Sequence, residues 1–176
     1  MPRLSLIDPA NNTGPGADML NGPLKDKQIN IFKGLAVNPT VLKAFLEYMQ
    51  NIKSGELTDQ EHEIIALVAS EKNQCDYCTA AHTQIAKGTG LNEDDTLNIR
   101  RGESSDARQQ ALIDFVTAVL ETNGFVTDDQ LEQFRNAGFT DAAVIEVVAG
   151  LSVITFTNLY NHINETEVDF PVPAGA

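Results

Sequence analysis

Cysteine, basic residues and mid-chain proline are all scarce in this sequence, and each scarcity excludes something. Two cysteines in 176 residues, at Cys75 and Cys78, cannot build the scattered disulfide framework of a small secreted domain. Lys and Arg number 12 against 25 Asp and Glu, a formal charge of -13. Beyond Arg100-Arg101 no basic cluster offers phosphates a surface on which to displace counterions. Nucleic acid and anionic membranes are therefore not expected partners. Residues 1–12 hold no apolar stretch of signal-peptide length, so secretion is not indicated and the cytoplasm is the expected compartment. The most apolar segment, 142–156, is interrupted by Glu146 and reads as a buried helix too short to span a bilayer.

Proline crowds the first 23 residues (Pro2, Pro9, Pro15, Pro23), recurs at Pro39, and is then absent until Pro171 and Pro173. Residues 40–170 are free to be helical, and each candidate helix has a start signal. Asn38-Pro39 opens one that carries Val41, Leu42, Phe45, Leu46, Met49 and Ile52 towards Gly55. Thr58 with Glu61 forms a capping box for a helix to about Lys72, with Ile64, Ile65, Leu67 and Val68 as its apolar content. A third helix runs from about Tyr77 to Lys87, with Gly88 as a left-handed cap. Further helices are predicted around Asp94 to Ile99, over Gln109 to Thr122, from Thr127 to about Gly138, and from Thr140 to about His162. The fold class is all-α in a single domain. Residues 1–28 read as an extended N-terminal arm, 29–165 as the helical domain and 166–176 as a C-terminal tail. The two arms and the apolar length of the last helix favour a homo-oligomer.

A domain of this length buries roughly 70% of its unfolded surface and needs no disulfide staple. In a reducing compartment a close cysteine pair marks metal binding or redox chemistry. Cys75 and Cys78, followed by His82, place the first thiol at a helix mouth, the second in its first turn and the imidazole one turn further on the same face. Orphan N-H groups and the positive helix end favour a thiolate there. Glu63, among apolar neighbours on the preceding helix, can return over the pair and take a proton directly, through His82 or through water. Other readings of the same residues are two buried small hydrophobes or a zinc site of Cys75, Cys78, His82 and Glu63. Haem attachment is excluded, since Thr79 rather than histidine follows Cys78. Glu61 reads as solvated, His62 as a surface residue, His162 as a favourable cation at a helix end, and Glu93 to Asp95 with Glu103 to Asp106 as solvated loop.

Glu63, eleven intervening residues, Cys75-x-x-Cys78 and His82 together resemble the active-site signature of the alkylhydroperoxidase D family within the carboxymuconolactone decarboxylase superfamily. Leu57-Thr58, Asn73-Gln74, Gly88 to Leu91, Ala137 to Thr140 and Asn158 to Asn161 extend the resemblance over about residues 35–170. It implies an all-helical AhpD-like trimer or hexamer that reduces hydroperoxides or partner disulfides without cofactor or metal. Cys75 and Cys78 would be the redox couple, and His82 with Glu63 the proton relay. Electrons would come from an external dithiol or lipoyl-type donor. Tyr77 stands where the best-characterised members carry a second histidine; it is a candidate for the substrate pocket, and its phenol cannot shuttle protons near neutrality. The implied cycle starts with Cys78 attacking a peroxide oxygen and ends in a Cys75-Cys78 disulfide. Cys75 is expected to be the more exposed sulfur. The same fold also suits a lactone decarboxylase that needs no cysteine pair, or a non-catalytic redox-sensing oligomer.

Overall fold

Capping side chains set most of the helix starts. In the computed structural model, which describes residues 1–175, nine α-helices and no strand are found among the described residues. They are α1 (Pro15–Asn21), α2 (Asn30–Leu35), α3 (Pro39–Ile52), α4 (Asp59–Lys72), α5 (Asp76–Gly88), α6 (Glu93–Arg100), α7 (Ala107–Thr122), α8 (Asp128–Asn136) and α9 (Asp141–Asn164). Reciprocal capping boxes open α4 at Thr58/Glu61, α6 at Asn92/Asp95 and α8 at Thr127/Gln130. Asn38 caps α3 and Thr140 caps α9. Each such cap satisfies donors that the first turn leaves orphaned, worth about 1 kcal/mol.

Helix α4 is the central element. Every residue from Glu61 to Ser70 is buried, the signature of a helix packed on all sides rather than on one stripe. It packs against α5, α6, α7 and α9. Ile64, Ile65, Leu67 and Val68 join Leu112, Ile113, Val116, Val147 and Ile154 in the main core, each such side chain contributing about 1.5–3 kcal/mol of burial. At one end Phe115, Phe134 and Phe139 stack at 4.2 Å spacings, and the Arg108 guanidinium lies 3.8 Å over Phe139.

Several expectations change in three dimensions. The segment read as an extended N-terminal arm carries α1 and lies along its own chain: Ile7 N donates to Lys33 O at 2.9 Å and Arg3 N to Asn164 O at 2.8 Å. Leu20 and Leu24 are buried in a second cluster with Ile31, Phe32, Leu35 and Leu42. The short apolar spacing in 15–35 is too brief to announce α1 and α2, which are held by this packing. The left-handed residue after α5 is Gly90, at φ +103°, not Gly88, which is still helical. Glu93 to Asp95 form the first turn of α6 rather than a loop, where carboxylates meet the positive helix end.

Helix α9 is less buried than its composition suggests. At 24 residues it is long and apolar enough to cross a membrane, yet only 39% of its most apolar window is covered. Ile145, Val148, Leu159 and Ile163 are exposed, while Asn158, Asn161 and Asn164 face inward. Glu146 does not interrupt the helix. Its carboxylate reaches Gly55, where any side chain would collide with it, and accepts from Glu56 N at 2.7 Å and Leu57 N at 2.8 Å. That clamp fixes the turn that leads into α4.

Candidate active site

The turn between α4 and α5 creates the site. Asn73 ends α4, Gln74 takes a left-handed conformation at φ +56°, and Cys75 then caps α5. The Cys78 backbone N-H donates to Cys75 Sγ at 3.4 Å, so the first thiol acts as the N-cap acceptor. The two sulfurs lie 2.6 Å apart and both cysteines are free, so each thiol faces the other directly. Neither cysteine is exposed: Cys75 is 1% and Cys78 3% accessible. The expectation of an exposed Cys75 fails because residues 20–42 roof the turn, with Leu20, Phe32 and Leu35 packed in the same cluster as both thiols.

Glu63 meets His82, one turn beyond Cys78 on α5. Its Oε2 lies 2.7 Å from His82 Nδ1, and Lys53 Nζ donates to its Oε1 at 3.1 Å. Burial pushes the Glu63 carboxyl up, but the His82 and Lys53 charges outweigh it and hold the group below its ordinary range. For His82 burial works downward, and the Glu63 carboxylate with the nearby Cys78 sulfur brings the net shift upward. Each member of the pair thus favours the charged form of the other, close to Cys78.

The two thiols are driven apart. Donation from Cys75 is the largest influence on Cys78, which is pulled down to about 6 against its burial, helped by the His82 charge and by the Asn161 and Asn158 side chains. Asn161 Nδ2 donates to Cys78 Sγ at 3.2 Å. Cys75 moves far upward, because it is the donor in that pair and is also desolvated. Cys78 therefore carries the thiolate and Cys75 the proton, the division the coupled pair imposes.

Tyr77 is buried in the same cluster as the two cysteines. Its hydroxyl accepts from Ile31 N at 3.3 Å, and its ring meets Phe170 edge-on at 5.6 Å. Burial pushes the phenol up, out of reach of proton transfer near neutrality. His162 is exposed on the last turn of α9. Glu61 and His62, read as surface residues, are both buried. Arg108 Nε meets Glu61 at 2.8 Å, and burial holds the His62 imidazole below its ordinary range. The central position of α4 explains both differences. Among the described residues no cluster of three or more metal-ligating side chains is found.

Three site residues escaped the sequence reading. Lys53 follows α3 and is brought to Glu63 by the Glu146-clamped turn. Asn161 reaches Cys78, and Asn158 accepts from Asn73 Nδ2 at 2.8 Å. The available signal was a spacing of three between asparagines on an otherwise apolar helix, since buried amides require partners.

Residues 39–105, which contain Glu63, Cys75, Cys78 and His82, match the model of the Carboxymuconolactone decarboxylase family. The chain is similar to the alkylhydroperoxidase AhpD core structure of an uncharacterized peroxidase-related protein from Ralstonia eutropha JMP134. The two are 24% identical, with a TM-score of 0.84, over 96% of this chain and 92% of that one. An uncharacterized peroxidase-related protein from Silicibacter sp. TM1040 aligns at 21% identity and a TM-score of 0.80, over 94% and 92%. A variant of the debrominase Bmp8, bound to 2,3,4-tribromopyrrole, aligns at 17% and 0.74, over 95% and 91%. At these identities the likeness is one of fold. No curated protein matches the sequence. Residues 39–105 thus match the Carboxymuconolactone decarboxylase family, and the chain as a whole has the all-helical AhpD-like fold.

Proposed function

We propose that the protein is a thiol-dependent peroxidase that reduces organic hydroperoxides through Cys75 and Cys78. The observation that carries this reading is the asymmetry of the pair: one sulfur held as a thiolate by Asn161 and the His82 charge, the other keeping its proton 2.6 Å away. A nucleophile and a resolving thiol in contact are what a two-step peroxide reduction requires.

Cys78 attacks one peroxide oxygen, the O-O bond breaks, and the alkoxide leaves with a proton from the His82 imidazolium. The product is an alcohol and a sulfenic acid on Cys78. Cys75 then attacks that sulfur; the S-O bond breaks and hydroxide departs as water with the Cys75 proton. Glu63 holds His82 by its Nδ1 and keeps it charged, so a proton is available when the alkoxide forms. An external dithiol supplies the two electrons that reopen the disulfide.

Lactone decarboxylation on the same fold has no use for a buried dithiol. A redox sensor would be oxidised once and stop. Purified protein is expected to consume cumene hydroperoxide continuously when dithiothreitol is supplied, and Cys78→Ser to lose this turnover. Stoichiometric oxidation without turnover, or an unaffected Cys78→Ser rate, would overturn the reading.

A further inference from the structure

Of two cavities that the peroxide chemistry leaves unused, one touches the cysteine pair. A space of about 460 Å3 lies between the mouth of α5, the end of α6 and the C-terminal segment; Cys75 lines it and Cys78 does not. Its walls include Ala80, Val168, Val172 and Pro173, and its rim carries Glu71, Asp76 and Arg100. Arg100 is already committed, with Nε donating to Glu71 at 2.7 Å and Nη1 to the Ala174 carbonyl at 2.7 Å. Glu71 neutralises it, which leaves Asp76 to set a negative rim on a mainly apolar space.

The C-terminal segment closes this cavity as a strap. Asp169 accepts from Asn30 N at 2.7 Å, Phe170 rests on Tyr77, and Ala174 N donates to Glu93 at 3.2 Å. Val168, just before the first of these pins, and Val172, between Phe170 and Ala174, are 44% and 80% exposed. A segment with so little burial opens at small cost relative to the whole fold.

We infer that this cavity is the docking site of the thiol reductant, that Cys75 is the sulfur it attacks, and that the strap lifts to admit it. The inference rests on the dithiol reading above and adds to it the electron donor's entry and chemical class: a neutral or cationic thiol with an apolar body. An anionic thiol meets Asp76 and the field of a chain with a formal charge of -13.

Exchange chemistry points to the same sulfur. In the oxidised protein a donor thiolate attacks Cys75 Sγ, a donor-Cys75 bond forms, and the Cys75-Cys78 bond breaks with its electron pair leaving on Cys78. Asn161 and His82 stabilise that leaving thiolate, and a thiol of lower pKa leaves faster. Attack on Cys78 would instead expel Cys75 into a desolvated site that disfavours its charge. The donor's second thiolate then attacks its own bound sulfur, closes the donor disulfide and releases Cys75. Of the two protons the donor loses, one goes to Cys75 and one to solvent, since Cys78 stays ionised. Two electrons have passed to the protein.

The test needs no peroxide, so it gives an answer even if the protein reduces none. The full chain is oxidised with diamide and mixed with 2-mercaptoethanol, cysteamine or 2-mercaptoethanesulfonate. Samples are quenched in acid, alkylated with N-ethylmaleimide and fragmented, so that the adduct is located within the peptide 73–87. The mixed disulfide is expected on Cys75 and the maleimide on Cys78. At equal thiolate concentration the sulfonate should react at least fivefold more slowly than the other two. Deletion of residues 168–176 should raise the rate at least fivefold, and Asp169→Ala, which unpins the strap at an exposed position, should move it the same way. An adduct on Cys78 would overturn the assignment of the sulfur. Equal rates for the three thiols would overturn the donor class, and rates unchanged in both strap variants would overturn the strap.

Discussion

Asn161 Nδ2 donates to Cys78 Sγ at 3.2 Å and thereby joins the end of α9 to the first turn of α5 across 83 residues of sequence. A neutral amide that donates to sulfur favours the thiolate over the thiol, so the bond acts on acidity more than on position. Asn161→Ala is expected to raise the Cys78 pKa by about 1–2 units, since hydrogen bonds to charged groups contribute about 1.5–3 kcal/mol and one unit is about 1.4 kcal/mol. The rate of iodoacetamide alkylation against pH measures it directly. An unmoved midpoint would mean that the amide serves only to pack the helix.

Glu63 holds His82 at 2.7 Å and Lys53 at 3.1 Å while almost wholly buried. Glu63→Gln removes the charge that keeps the imidazole protonated and leaves the shape. Peroxide turnover at pH 7 is expected to fall by about 10²–10⁴, the range for loss of a positioned proton donor. The His82 pKa, followed by imidazole NMR resonances, should fall at the same time. A large loss of turnover with no change in that pKa would assign Glu63 a purely structural role.

Three groups predict the pH behaviour: Cys78 and His82 for activity, and Glu63 and His82, with opposite senses, for stability. Peroxide reduction should rise with pH through a midpoint near 6, where Cys78 ionises, and fall again as pH rises through the raised His82 value and the proton donor is lost. The Glu63 pKa is depressed below 4.5, so its contribution to stability is complete above about 4.5 and is lost as pH falls through the lower folded value. The His82 pKa is raised above 6.5; its contribution is complete below about 6.5 and is lost as pH rises through the folded value. Denaturation midpoints from pH 3 to 9 should therefore decline at both ends. In Glu63→Gln both declines should flatten.

Arg108 connects the core to the α8–α9 turn. It meets Glu61 at 2.8 Å, donates to the carbonyls of Ala137 and Gly138, and covers Phe139. Arg108→Met keeps part of the stacking and strands the buried Glu61 carboxylate. Removal of one partner from a fully buried pair costs about 3–5 kcal/mol. Arg108 is partly exposed, and solvent screening reduces the expected loss to about 1.5–3 kcal/mol. Urea denaturation measures this, and Glu61→Gln in the same background should restore part of it.

Local chemistry was enough to determine much of this protein. Capping boxes at Thr58/Glu61 and Thr127/Gln130, the Asn38-Pro39 and Thr140 starts and the absence of mid-chain proline determine the helices from α3 onwards, because each signal acts within one or two turns. The spacing of Cys75, Cys78 and His82 places them on one face for the same reason, a fixed helical period. Only the tertiary structure decided what surrounds them. Asn161, Lys53 and the roof formed by residues 20–42 come from parts of the chain with no local relation to the cysteines, and burial of Glu61 and His62 follows from α4 being packed on every side. Thiolate acidity is set by such through-space partners and by desolvation. The sequence therefore marks the two thiols, and the fold assigns the negative charge to Cys78.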